Sequence, residues 1–136
     1  MKVSFEISGR PTPWKRMRRN GGTYFPAKGQ VEAKDLIRYG FKGALKGRTF
    51  IGDEYKGPVA LTVHSVFALP QRLPKGDRRK IGDPHTFKPD GDNLIKLVKD
   101  ALNGVGYKDD CQVFEAVSRK QWSDHNRTIV TLEYFQ

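Results

Sequence analysis

From Val59 to Leu69 the chain reads Val59-Ala60-Leu61-Thr62-Val63-His64-Ser65-Val66-Phe67-Ala68-Leu69, a β-branched run that Pro70 stops. No other stretch constrains the fold as tightly. Its apolar side chains fall on both parities, which suggests a central strand. The remaining elements arrange themselves around this central strand. Val3, Phe5 and Ile7 fall at period two and are followed by Ser8-Gly9-Arg10-Pro11-Thr12-Pro13, which predicts a strand over residues 2 to 8 ending in a proline-rich turn. Between Gly29 and Lys46, Ala33, Leu36, Ile37, Phe41 and Ala44 recur at three- and four-residue spacing, which predicts a first helix. Gly40 and Gly43 weaken its second half by about 1 kcal/mol each relative to Ala, so this end either frays or packs closely on a neighbour. Residues 47 to 57 read as loop.

A second helix is expected over 93 to 103, with Asp92 as N-cap, one stripe of Leu94, Leu97, Val98, Ala101 and Leu102, and Asn103-Gly104 as the stop. Residues 113 to 122 and 128 to 135 are two further strands. The turn-forming Ser123-Asp124-His125-Asn126 between them makes an antiparallel hairpin the simplest pairing. The order is β-α-β-α-β-β, and the economical architecture is α+β: one mixed sheet with two helices on one face. With 136 residues, of which 37% are hydrophobic, the chain fits one domain over 1–136 with a single core.

Charge indicates the partner. Twenty-five Lys and Arg against fifteen Asp and Glu leave a net +10, so any fold projects a positive potential suited to a polyanion. The cations concentrate in two segments. Residues 10 to 28 hold Lys15, Arg16, Arg18 and Arg19 beside Trp14, Tyr24 and Phe25, with no acid at all. Residues 71 to 89 hold Arg72, Lys75, Arg78, Arg79, Lys80 and Lys88 among prolines and glycines and read as a second, mobile basic loop. These ten cations are the candidate residues for binding a nucleic acid or another polyanion; a solvated surface is the plain alternative. Nothing approaches the roughly eighteen consecutive apolar residues of a membrane span, and the alternating start does not resemble a signal core. A lone Cys111 cannot form an intrachain disulfide, which fits a reducing cytoplasm, and its plain role is a small half-buried side chain. His64, His85 and His125 share no local spacing and read as structural or exposed.

Carboxylates are the remaining candidates for chemistry. Asp90-Gly91-Asp92-Asn93 sets two acids at i and i+2 directly before the second helix. In an extended or turn segment they can converge on one hard cation, with Gly91 supplying dihedrals that most residues avoid. Lys96 follows Asp92 by one helical turn on the same polar face. Asp109-Asp110 stands at the mouth of the next strand, across the short connection from Gly104 to Lys108. If that strand docks beside the second helix, three carboxylates share a pocket, and their mutual repulsion is relieved by a divalent cation or by protons. Oxygen ligands suit magnesium or manganese and not zinc. The plain alternatives, a capped turn and an acidic loop, stay open on pattern alone. An EF-hand fails, because Leu94 and Lys96 stand where calcium ligands and the invariant glycine belong.

Taken together, Lys88-Pro89-Asp90-Gly91-Asp92-Asn93-Leu94-Ile95-Lys96, then Asp100-Ala101-Leu102-Asn103-Gly104, then Tyr107-Lys108-Asp109-Asp110-Cys111-Gln112-Val113 resembles the RusA family of Holliday junction resolvases. The block covers about a fifth of the chain, and the element order extends the likeness over most of it. The resemblance implies a small homodimeric endonuclease, of a kind common in bacteriophages and prophages, that uses magnesium to cut four-way DNA junctions symmetrically. By the motif, the catalytic and metal-holding acids map onto Asp90, Asp92 and Asp110, and the essential lysine onto Lys96. The pattern uses the second acid of the Asp109-Asp110 pair. Gly91, where a bulkier residue is expected, and the long basic insert at 71 to 88 depart from it.

On this reading the three aspartates hold one or two Mg²⁺, for which Mn²⁺ substitutes. Water attacks phosphorus in line, and Lys96 stabilises the transition state or the departing oxygen, leaving 5′-phosphate and 3′-hydroxyl ends. Paired nicks need two sites, which a C₂ homodimer supplies. Trp14, Tyr24, Phe25 and Phe87 either pack or stack on unpaired bases. The alternatives are a noncatalytic basic DNA-binding module and a nuclease acting on flaps, forks or duplex.

Overall fold

A computed structural model describes residues 1–48 and 54–135. The expected loop at 47 to 57 therefore lies partly outside the described residues. Strand β4 (Val59–Ala68) occupies the interior of a four-stranded mixed sheet, as the apolar residues on both its parities suggest. It pairs antiparallel with β6 (Arg127–Tyr134) and parallel with β5 (Val113–Ser123), while β1 (Lys2–Ser8) pairs antiparallel with β6 at the far edge. Helix α1 (Gln30–Ala44) lies against β1, and α2 (Gly91–Leu102) lies against β4, β5 and α1. The core between helices and sheet includes Val3, Ile37, Phe41, Leu61, Val63, Leu97, Val98, Leu102, Tyr107, Val130 and Leu132.

Three local expectations change. Strands β5 and β6 do not form a hairpin; β4 lies between them. The chain leaves β4, crosses over through α2 and returns as β5 alongside β4, so β5 has its inner edge filled before β6 arrives. The turn after β5 then passes over the end of β4, where Asn126 Oδ1 accepts from the Ala68 amide (2.8 Å) and the Ser123 carbonyl from the Leu69 amide (2.9 Å). The core-facing side of β6 buries the alternating Thr128, Val130, Leu132 and Tyr134. Second, the first basic loop is not structureless: β2 (Arg18–Asn20) and β3 (Thr23–Phe25) form an exposed two-stranded ribbon around Gly21-Gly22, with Arg19 paired to Tyr24.

The third change concerns the second basic loop, which is pinned. Residues 82 to 85 run along the end of β5, with the Gly82 amide bonded to the Trp122 carbonyl (2.9 Å), the Trp122 amide to the Asp83 carbonyl (2.9 Å), and the His85 amide to the Lys120 carbonyl (3.1 Å). His85 plugs this strap into the sheet. Its ring stacks on Phe67 at 4.1 Å and lies 4.3 Å from Trp122. Burial, then the Lys120 charge, hold its pKa below the ordinary 6.5, and its buried Nδ1 has no hydrogen-bond partner. Among the described residues, no helix is long and apolar enough to cross a membrane.

Candidate active site

Helix α2 begins at Gly91, two residues earlier than its sequence suggests. Asp90 is the N-cap, in extended conformation, and Asp92 lies inside the first turn. This corrects the expectation of Asp92 as cap, and it separates the two acids. In an extended strand, residues two apart share a side, but in a helix they do not face each other. Asp92 accordingly turns into one open hollow with Ile95, Lys96, Lys99, Asp100 and Asp110. Asp90 lines a second with Arg10, Trp14, Lys15, Lys88 and Asn93. The two hollows are neighbours, because Lys96 Nζ in the first lies 3.6 Å from the centroid of the Trp14 ring in the second. Gly91 does not take a positive φ. What its missing side chain allows is a close approach, since a Cβ there would lie 3.3 Å from Ser118 Oγ.

Asp110 reaches the first of these hollows through the connection that follows α2 and is tied to its last turns. The Tyr107 hydroxyl donates to the Lys99 carbonyl (2.8 Å), and Tyr134 OH donates to the Gly106 carbonyl (2.6 Å). Burial raises the Tyr107 pKa, and the charges of Asp110 and Asp100 raise it further, so this phenol stays neutral beneath the acids. Asp109 has a structural task. Its carboxylate accepts from the Cys111 amide (2.9 Å) and its own amide donates to Gln112 Oε1 (3.0 Å), a reciprocal cap on the short 3₁₀ turn Asp110–Gln112. The bond from the Cys111 amide is the main cause holding the Asp109 pKa below its ordinary value. Gln112 also donates to the carbonyls of Tyr55 and Gly57, fastening the turn to the start of β4. The sequence alone left the choice within Asp109-Asp110 to a motif; here one acid is engaged as a cap and its neighbour lines the hollow.

Asp100 and Lys99 are additions that sequence reasoning missed as site residues. Their signal was present: positions 92, 96, 99 and 100 recur at helical spacing on one face of α2. Among the described residues no three His, Cys, Asp or Glu stand close enough together to hold a metal ion, so the acids do not form a closed cage. Their chemistry nevertheless fits magnesium. The donors are carboxylate oxygens, Cys111 is held toward its protonated form chiefly by its bond with Asp109, and magnesium is usually held by one or two carboxylates together with waters and substrate phosphate.

The basic residues divide into two groups. Lys15, Arg16, Arg18, Arg19, Arg72, Lys75, Arg78, Lys80 and Lys88 are exposed. Arg79 is half-buried, ion-paired to Asp77 at 2.6 Å and placed over the rings of Phe87 and Trp122 at 4.7 Å each, so its charge serves the strap. Trp14 packs on the core, and its amide donates to the Asn93 carbonyl (2.8 Å) at the head of α2. Cys111 is exposed and not half-buried.

An α+β fold that brings carboxylates and lysines into one hollow, beside a second lined by Arg10, Lys15 and Lys88, has the makings of a phosphodiester-cleaving enzyme. Residues 7–133 match the family described as endodeoxyribonuclease RusA, and the chain belongs to that family. It is also similar to the uncharacterized protein YqaN of Bacillus subtilis (strain 168), 36% identical over 81 residues that cover 56% of this chain and 57% of that relative.

Proposed function

We propose that this protein is a divalent-metal-dependent endodeoxyribonuclease selective for branched DNA, and that it resolves four-way junctions by paired nicks as a homodimer. The observation that carries this reading is the one hollow shared by Asp92 in the first turn of α2, Asp110 in the short turn that follows the helix, and Lys96, in a family of deoxyribonucleases. Asp92 and Asp110 are the principal metal-holding residues, with Asp100 beside them; Asp90, set apart in the neighbouring hollow, becomes a third ligand only by closing on the ion when metal and phosphate bind. Bound Mg²⁺, or Mn²⁺ in its place, supplies an activated water at neutral pH and neutralises charge on the phosphate. Lys96, resting on the face of Trp14, keeps a cation beside the acids for the transition-state charge or the departing oxygen. Lys15 and Lys88 draw the DNA backbone toward Asp90.

Two opposed nicks require two such sites, and the spacing of the basic surfaces across a C₂ dimer selects the branched geometry. The decisive experiment compares cleavage of a synthetic four-way junction and of duplex of equal length, with and without Mg²⁺. Junction nicking that needs Mg²⁺, and that falls by orders of magnitude in Asp92→Asn and Asp110→Asn while junction binding persists, is the expected result. Binding without nicking would leave a noncatalytic DNA-binding module, and equal cutting of duplex would remove the junction selectivity.

A further inference from the structure

Three alternate carbonyls on the segment that leads into α2 are gripped by two side chains of β5. Lys120 Nζ donates to the carbonyls of Phe87 (2.6 Å) and Pro89 (2.8 Å), and Ser118 Oγ donates to that of Gly91 (2.8 Å). Residues two apart on a strand share a face. Positions 118 and 120 pair in register with Val63 and Ser65, both buried, so this face is the one the helices cover. The grip spans Asp90: one peptide carbonyl before it and one after it are fixed from the sheet. Lys120 is half-buried and has no carboxylate partner among the described residues. Its charge also opposes protonation of His85. An ammonium spent on two carbonyls of one segment, and on no carboxylate, points to a task at the segment it holds.

We propose that Lys120, assisted by Ser118, is a positioning residue for the acid site: by fixing the carbonyls around Asp90 it sets the direction of that carboxylate and the start of the turn that carries Asp92. The inference rests on the reading of these acids as metal-holding groups. It is tested by Mn²⁺ binding, followed by electron paramagnetic resonance or calorimetry, in wild type, Lys120→Met, Lys120→Arg and Ser118→Ala. Mg²⁺ titration of junction cleavage and thermal melting of the same proteins accompany it.

Outer-shell partners of metal ligands typically contribute 10- to 100-fold in affinity. Lys120→Met should therefore weaken Mn²⁺ binding about tenfold or more and raise the half-saturating Mg²⁺ in parallel, with the rate partly recovered at high Mg²⁺. Lys120→Arg, which keeps the donors, should restore most of the affinity, and Ser118→Ala should shift it in the same direction by less. Wild-type Mn²⁺ affinity in Lys120→Met would overturn the inference, whether or not melting temperature or DNA affinity falls, because Lys120 would then be a brace or a DNA contact. Should Lys120→Met not fold, unchanged Mn²⁺ affinity in Ser118→Ala overturns it. A wild-type protein that neither binds Mn²⁺ nor nicks DNA removes the acid site itself, a failure visible before any variant is compared.

Discussion

Two glycines three residues apart on α1 should respond to the same substitution with opposite signs. A Cβ added at Gly40 would lie 2.6 Å from Phe5 Cδ2 and 2.8 Å from Ile7 Cδ1, whereas one added at Gly43 meets nothing within 4 Å. Carbon atoms pack best at about 3.5–4.0 Å, so Gly40→Ala must push β1 side chains or α1 itself by about 1 Å. Overpacking of this kind costs about 1–3 kcal/mol, against about 1 kcal/mol gained from helix propensity. Gly40→Ala is therefore expected to destabilise by roughly 1 kcal/mol. Gly43→Ala collects the gain without the clash. It lies in the last turn, where the helix is least constraining, so the stabilisation should be roughly 0.5–1 kcal/mol. For a chain of this length each kcal/mol moves the melting temperature by about 3–4 °C, so the two variants should melt about 5–7 °C apart on either side of wild type. Urea or thermal denaturation at pH 7.5 measures this. A Gly40→Ala protein as stable as Gly43→Ala would refute the close packing of α1 on β1.

Replacing His85 by Phe should flatten the pH dependence of stability. The folded state lowers this pKa, so the unfolded chain binds the proton more readily, and the stability that neutral His85 contributes above pH 6.5 is lost as pH falls through that value. Urea midpoints at pH 7.5 and pH 5 should converge in His85→Phe relative to wild type. Asp109 acts in the same direction at lower pH: its folded pKa lies below 3.8, so its contribution is present above 3.8 and disappears as pH falls through the lowered value. Asp109→Asn retains a capping side chain and should keep junction cleavage, while Asp109→Ala should melt earlier at pH 7 and lose less on acidification. Finally, DNA affinity should fall steeply with salt, and Arg18→Ala or Arg72→Ala should each reduce the slope of log K against log salt by about 1 if the residue meets a phosphate. Arg79→Ala should leave that slope unchanged and lower stability instead, because its charge is already paired with Asp77.

Local patterns made much of this protein legible before any coordinates. The run of apolar residues on both parities of β4 declares an interior strand, the stripe from Leu94 to Leu102 declares α2, and an acid-free stretch from Arg10 to Lys28 declares a largely exposed, cationic segment. These follow from side-chain periodicity and composition, which act over a few residues. What the sequence could not decide were choices made by distant partners. The short turn at 123 to 126 favours a hairpin locally, but β4 already fills the inner edge of β5, so β6 pairs elsewhere. The basic loop at 71 to 89 reads as mobile until His85 is found stacked on Phe67 and Trp122.

The site divides the same way. The acids and Lys96 are legible as a motif, yet which of them share a hollow depends on where α2 starts, since the first helical residue turns Asp90 and Asp92 to different sides. The roles of Ser118 and Lys120 have no local signal, because their partners lie 27 to 33 residues away in sequence. Periodicity fixes which face of an element is buried; only the packing of whole elements, driven by the burial of their apolar faces, fixes which polar groups finally meet.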